Sequence, residues 1–347
     1  MTASHLRGKS LDSAWRFFKG RSVLITGATG SFGREFVRTL LLKSSPRRLV
    51  VFSRDEMKQV EMSQKMTPLD RGGCLRFFIG DVRDRRRIAM ALRDIEFVVH
   101  AAALKHVPVA EYNPFECIHT NVLGAENVVQ ACIETGVQRL IALSTDKAAN
   151  PINLYGASKL AADKIFIAAN HLSGKGGTKF SVVRYGNVLG SRGSVIPLIR
   201  EFLAQGTKDF PITDPRMTRF WITLNQAVTF VASCMSQMRG GEIFVPKIPS
   251  MKIVDLVHAI APNLKHRIVG VRPGEKLHEV MITADDARTT RDLGDRYVIV
   301  PVISLEHDGS GKRLGTPVPD DFCYASNTND KWLEPEILLK LVRDDMA

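Results

Sequence analysis

Apolar positions recur along this chain in a repeating pattern. Residues 22–26, SVLIT, form a short apolar run. A glycine-rich turn follows at 27–33, and then Phe36, Val37, Leu40 and Leu41 recur at helical spacing. Strand, loop and helix are predicted there. Similar runs return as LVVFS (49–53), LRFFIG (75–80), FVVHAAA (97–103), RLIALST (139–145) and FSVVRYG (180–186), each separated by a helix-like segment. Strands that read as unbroken apolar runs are buried on both faces, so the pattern predicts an α/β protein whose parallel sheet is covered by helices on either side.

Beyond about residue 190 the pattern loosens into pieces marked by Pro and Gly, with helix-like stretches near 194–205 and 224–238. Three parts are expected: an N-terminal extension (1–20), a Rossmann-like, doubly wound nucleotide-binding domain (21–190), and a smaller, mainly substrate-binding region (191–347). The apolar run GEIFVP (241–246) has the character of a strand that returns to the edge of the main sheet. The tail over 308–329 is polar and rich in Pro and Gly, and a last helix is expected over 334–342.

The composition is ordinary for a globular chain of 347 residues, with 44% apolar and 24% charged residues. No stretch reaches the roughly 18 apolar residues of a membrane span, and the start of the chain lacks an apolar signal core. A cytoplasmic protein with no membrane partner is expected. Cys74, Cys117, Cys132, Cys234 and Cys323 lie far apart without a CxxC pair, which argues against a disulfide framework and against a metal site. The net charge of +12 raises nucleic acid as a partner. However, the densest basic run (83–87) is broken by Asp84 and has no interleaved aromatics, so no nucleic acid is expected. Small polyanionic ligands suit a basic chain as well.

The segment from Gly27 through Thr29, Gly30, Ser31 and Phe32 to Gly33 has the spacing G-x-x-G-x-x-G between a predicted strand and helix. Glycines there let the backbone approach a pyrophosphate, whose charge meets free N–H groups at the helix start. After the second strand, Ser53, Arg54 and Lys58, with Asp55, Glu56 and Met57 among them, suit a 2′-phosphate and favour NADP, while Asp55 leaves NAD open. Asp81 and Val82 follow the third strand, where a carboxylate and an amide can meet an adenine edge; a plain turn or cap is the competing reading. Ala101, Ala102 and Ala103 end the fourth strand, small enough for a cofactor to lie against them.

Tyr155 and Lys159, four residues apart, share one face of a helix. The lysine charge is expected to lower the tyrosine pKa, so that a tyrosinate takes the proton of a substrate hydroxyl while hydride leaves the same carbon. The spacing is common on ordinary helices. It gains weight here from the upstream nucleotide loop and from Ser144 and Thr145 at a strand end.

With TGATGSFG and YGASK in place, the chain resembles the extended short-chain dehydrogenase/reductase superfamily. LSTDKAANPINLYGASK, HAAALKHVP, RYGNVLGSRGSV, DPRMTRFWIT and RPGEKLHEVM narrow the resemblance to the inverting UDP-N-acetylglucosamine 4,6-dehydratases that open pseudaminic acid synthesis. It runs from about residue 21 to 342. The resemblance implies a hydro-lyase that oxidises C4, eliminates water across C5 and C6, and returns hydride to C6 with inversion at C5. The product would be UDP-2-acetamido-2,6-dideoxy-beta-L-arabino-hex-4-ulose, destined for surface or flagellin glycans.

Thr145, Asp146, Lys147, Tyr155 and Lys159 are then the catalytic set. Asp146, kept protonated, would donate to the leaving C6 hydroxyl. Lys147 would take the C5 proton as a neutral amine, its pKa depressed by burial and by Lys105 and Lys159. Lys105 would also touch the cofactor, together with Tyr155 and Lys159. UDP-N-acetylglucosamine would meet Lys105, Asn187, Gly193, Ser194, Val195, Thr213, Met217, Arg272 and Glu275, with Arg272 on the diphosphate. A homo-oligomer is implied as well, with the segment around Trp332 as a candidate interface. Two competing readings stand: an epimerase or reductase of the same fold, and a non-catalytic NADP sensor.

Overall fold

The computed structural model describes residues 9–191, 194–301 and 314–344. Its centre is a sheet built from β1 (Ser22–Thr26), β2 (Arg48–Ser53), β3 (Leu75–Ile79), β4 (Phe97–His100), β5 (Arg139–Thr145) and β6 (Lys179–Tyr185). All six are parallel and lie in the order β3-β2-β1-β4-β5-β6. The order reverses between β1 and β4, and in sheets of this kind ligands bind in the crevice beyond the carboxyl ends of the strands at such a switch point.

The strands form where they do because both sheet faces bury apolar side chains. Val23, Leu24, Ile25, Val50, Val51, Val98, Val99, Leu140 and Ile141 are all fully buried in one core. Helices Ser31–Lys43, Gly124–Thr135 and Leu154–Ser173 connect successive strands. The expected fourth strand is shorter than its apolar run. It ends at His100: the Ala101 N–H makes a last ladder bond to the Thr26 carbonyl at 3.3 Å, shared with Thr26 Oγ1 at 3.1 Å, and the Ala102 N–H then donates to that hydroxyl at 3.2 Å.

The strand Ile243–Pro246 does return to this sheet, parallel to β6, but it is not the edge. Arg296–Ile299 pairs antiparallel on its far side, and Thr290–Asp292 and Thr316–Pro317 complete a ten-stranded sheet. Other C-terminal segments form a separate apolar cluster that includes Ile199, Phe210, Trp221, Leu256 and Leu338. The polar start of the chain also holds a surprise. A helix at Lys9–Arg16 and the residues after it bury Trp15 and Phe18 completely, with the Trp15 ring 5.3 Å from Phe36. Three aromatics in four residues give this segment an apolar face that the surrounding charges conceal.

Candidate active site

The glycine loop lies at the switch point. Gly27 has φ +63°, and a Cβ there would come within 2.8 Å of the Ala102 backbone. A Cβ on Gly33 would come within 2.4 Å of Ala28 Cα, and one on Gly30 within 3.2 Å of the Gly27 carbonyl. The loop therefore presents bare backbone closely packed on Ala101 and Ala102, and helix Ser31–Lys43 begins with Gly30 as its cap. Thr29 is buried, and Arg34 Nε donates to its carbonyl at 2.9 Å. This geometry fits a dinucleotide pyrophosphate.

At the end of β2, Ser53 is buried and its hydroxyl accepts from Gln59 at 3.2 Å. Asp55 caps helix Glu56–Met66 through the Lys58 amide and pairs with the Lys58 ammonium. Those hydrogen bonds hold its pKa below the usual carboxylate range. Arg54 stays largely exposed, 3.8 Å from Asp81. Met57 is exposed. Asp81 is a turn residue, accepting from the Arg83 amide and side chain, while Asp84 caps the next helix. Val82 is buried, and its carbonyl accepts from Asn127.

The catalytic candidates meet at the end of β5. Asp146, Lys147 and Ala148 form one short helical turn, followed by helix Leu154–Ser173 with Tyr155 and Lys159 on its buried face. Gly156 lets the two touch: a Cβ there would lie 2.3 Å from the Lys147 carbonyl oxygen. Asn153 caps the helix, its side chain accepting from Gly156 N at 2.7 Å, and donates to the Gly274 carbonyl at 2.8 Å. One asparagine thus ties the RPGEK loop to the catalytic helix. In that loop Arg272 is exposed, and its amide donates to Glu275.

Asp146 is fully buried. Its Oδ1 accepts from Thr145 Oγ1 at 2.9 Å and from Lys147 Nζ at 3.0 Å, while Oδ2 has no protein partner among the described residues. Burial, reinforced by Glu279, raises its pKa, as a general acid requires. Lys147 departs from expectation. Burial disfavours its charge, but Asp146 and Glu279, the latter 3.0 Å away through Oε1, outweigh that and hold its pKa above the ordinary lysine value. The cations that face it are Arg219 and Lys276.

Tyr155 also differs. Burial pushes its phenol up to about 12, against the lowering effects of the Lys147 charge and a hydrogen bond with Thr145. Lys159 Nζ donates to the Leu143 carbonyl at 2.6 Å.

Sequence reasoning missed four neighbours. Glu279 and Arg219 are distant in the chain, and no spacing rule links them to Lys147. Asn121 donates to the Leu104 carbonyl at 2.9 Å and accepts the Leu104 amide at 2.8 Å, which fixes the backbone before the exposed Lys105. Asn153 carried a readable signal, an Asn immediately before a helix.

The remaining substrate candidates are more spread. Asn187 sits half-buried in the two-residue strand Asn187–Val188. Ser194 caps helix Val195–Ala204, its buried hydroxyl without a protein partner among the described residues. Thr213 Oγ1 lies 2.9 Å from the sulfur of buried Met217. Gly193 lies outside the described residues. Also among the described residues, no helix is long and apolar enough to cross a membrane.

Known proteins match this arrangement over nearly its whole length. The family model described as polysaccharide biosynthesis protein covers residues 23–301. A Campylobacter jejuni protein (strain 81-176) named UDP-N-acetylglucosamine 4,6-dehydratase (inverting) is 55% identical over 94% of this chain and 98% of its own. A Rickettsia akari protein named UDP-glucose 4-epimerase is 42% identical over 81% of this chain and 83% of its own. The solved structure of Pen from Bacillus thuringiensis superposes with a TM-score of 0.86 at 34% identity, covering 95% of this chain and 99% of that one. The chain belongs to the polysaccharide biosynthesis protein family, and within it closely resembles an inverting nucleotide-sugar dehydratase.

Proposed function

We propose that this protein is an inverting UDP-N-acetylglucosamine 4,6-dehydratase that uses NADP. The observation that carries the proposal is the buried acid Asp146 and the half-buried ammonium of Lys147, whose Oδ1 and Nζ lie 3.0 Å apart beside Tyr155. An epimerase acts at C4 alone and has no task for this pair. The relative with 55% identity bears the dehydratase name.

A nicotinamide dinucleotide bound at the glycine loop supplies the hydride acceptor and donor for the cycle. Support for NADP comes from Asp55, the acid expected to meet ribose hydroxyls, which is already engaged by Lys58 and a helix start. Arg54 beside it is exposed and available to a 2′-phosphate.

Tyr155 receives the proton of the C4 hydroxyl; Lys147 and Thr145 favour its ionised form while burial opposes it. Asp146 and Lys147 then need only one proton between them. Moving it from Nζ to Oδ1 creates the neutral acid and the neutral base together. Lys147 takes the C5 proton and Asp146 gives its proton to the C6 oxygen, which departs as water. The elimination leaves Asp146 ionised and Lys147 charged, the arrangement from which the pair began. The stoichiometry closes, since C4–OH and C5–H each release a proton while water formation and reprotonation of C5 each take one up. This mechanism answers the raised lysine pKa: the base is freed by transfer to its neighbour rather than by loss of its proton to solvent.

Arg272 and Glu275, on the loop held by Asn153, suit the diphosphate end, with Asn187, Ser194, Val195, Thr213, Met217 and Lys105 lining the rest. Residues 191–347 would cover the sugar. Exposed Tyr112, Phe115 and Leu172 on adjoining helices support a homo-oligomer. The reaction would be the opening step of pseudaminic acid synthesis in the cytoplasm.

Proton NMR of the purified protein with UDP-N-acetylglucosamine in deuterated water tests the proposal. A new C6 methyl signal, deuterium at C5 and inverted C5 configuration are expected. Interconversion at C4 without a methyl signal would establish the epimerase reading instead.

A further inference from the structure

Glu279 lies in the segment just before strand Val280–Ile282 and belongs to none of the predicted site residues. It is almost completely buried, with 1% of its surface exposed. Its backbone is pinned on both sides by Ser326, whose hydroxyl accepts the Glu279 amide at 2.9 Å and whose own amide donates to the Glu279 carbonyl at 2.8 Å. The carboxylate reaches Lys147 through Oε1 at 3.0 Å and lies 3.8 Å from Arg219 Nε. Its Oε2, like Asp146 Oδ2, is buried without a protein partner among the described residues. Lys147 Nζ is thus held between two carboxylates, each with one oxygen able to take a proton without displacing an existing donor.

We propose that Glu279 is a positioning residue for the acid–base pair: it clamps the Lys147 ammonium against Asp146 and, by its charge, keeps one mobile proton within that pair. The inference rests on the dehydratase reading. The groups that face this centre are Asp146 and Lys147 on the turn after β5, Tyr155 on the following helix, Arg219 from strand Thr218–Ile222 and Lys276 from the RPGEK loop. His278 turns away and bonds Thr218 Oγ1. A carboxylate at this position makes both Asp146 and Lys147 bind protons more tightly. The pair is competent when it holds one proton, so the rate should follow a bell in pH whose two limbs belong to the pair as a unit. Removing the Glu279 charge loosens proton binding at both steps, and both limbs move to lower pH.

The test is kcat and KM against pH, followed by the C6 methyl signal, for the unsubstituted protein, Glu279→Gln and Glu279→Asp. Glu279→Gln is expected to lower kcat at the parent optimum by about tenfold or more. It should also shift the bell about one pH unit toward acid, with KM changed less than about threefold. Glu279→Asp keeps the charge but draws it back, so kcat falls while the bell stays in place. A Glu279→Gln protein with an unmoved bell overturns the inference while leaving the dehydratase reading intact. If Glu279→Gln does not fold, a shifted bell in Glu279→Asp overturns it equally. An unsubstituted protein that forms no methyl product removes the dehydratase reading and this inference together.

Discussion

Lys147, half-buried, and Lys159, buried, share one site, yet what faces them drives them in opposite directions. Lys147 meets two carboxylates and keeps its proton. Lys159 is pushed down by burial, which Asp163 only partly offsets, and its Nζ meets a neutral carbonyl acceptor. Replacement of Lys147 by Met should therefore remove the C5 chemistry, lowering dehydration by about 10²- to 10⁴-fold. Cofactor affinity, read by fluorescence titration, should stay unchanged; a comparable loss of cofactor binding would place Lys147 in the dinucleotide site instead. Asp163 serves a structural centre, accepting from Ser144 Oγ at 2.8 Å and lying 3.5 Å from buried Arg184. Asp163→Asn leaves that guanidinium with Asp286, 3.7 Å away, as its carboxylate partner, and should destabilise the fold by roughly 1–3 kcal/mol in urea unfolding.

Two elements depend on close backbone approach. Helix Leu154–Ser173 can carry Tyr155 beside Lys147 only because residue 156 has no Cβ. Gly156→Ala forces the helix start away from the Asp146–Ala148 turn, at a cost of about 1–3 kcal/mol of overpacking. Its activity should fall far more than its melting temperature suggests. Gly20 is the useful control: its φ of +70° is strained for alanine, but nothing lies within 4 Å of the added carbon. Gly20→Ala should lose only about 1–2 kcal/mol and retain full activity. Asn153→Ala should lose about 1 kcal/mol as a helix cap and raise KM for the nucleotide sugar, because the same side chain holds the RPGEK loop through Gly274. An unchanged KM would detach that loop from substrate binding.

At the scale of the whole molecule, the buried groups set the response to acid. Burial, helped by Lys159, holds the His100 pKa down to about 3 from the ordinary 6.5. Its folded pKa is below its unfolded one, so the stability it contributes is complete above about pH 6.5 and drains away as pH falls toward 3. The urea midpoint of the parent should drop more steeply between pH 7 and 5 than that of His100→Asn, and the difference between the two curves isolates this histidine. Much of the architecture was legible along the chain. The apolar runs marked six parallel strands, the glycines marked the loop, and the Tyr155–Lys159 spacing marked a helix face, since each signal is local and periodic. The strand at 243–246 was readable too, but its place inside the sheet was not. That depended on Arg296–Ile299 pairing with it across a long stretch of chain. The alanines after His100 read as strand because they are apolar; the ladder ends with the Ala101 amide on the Thr26 carbonyl, and the Ala102 amide turns to the Thr26 hydroxyl. The type of chemistry could be read from Asp146, Lys147 and Tyr155. Which of them holds a proton could not, because a pKa is decided by whatever charge folds against the group. For Lys147 those charges are the adjacent Asp146 and then Glu279, and the second is brought to it by tertiary packing alone.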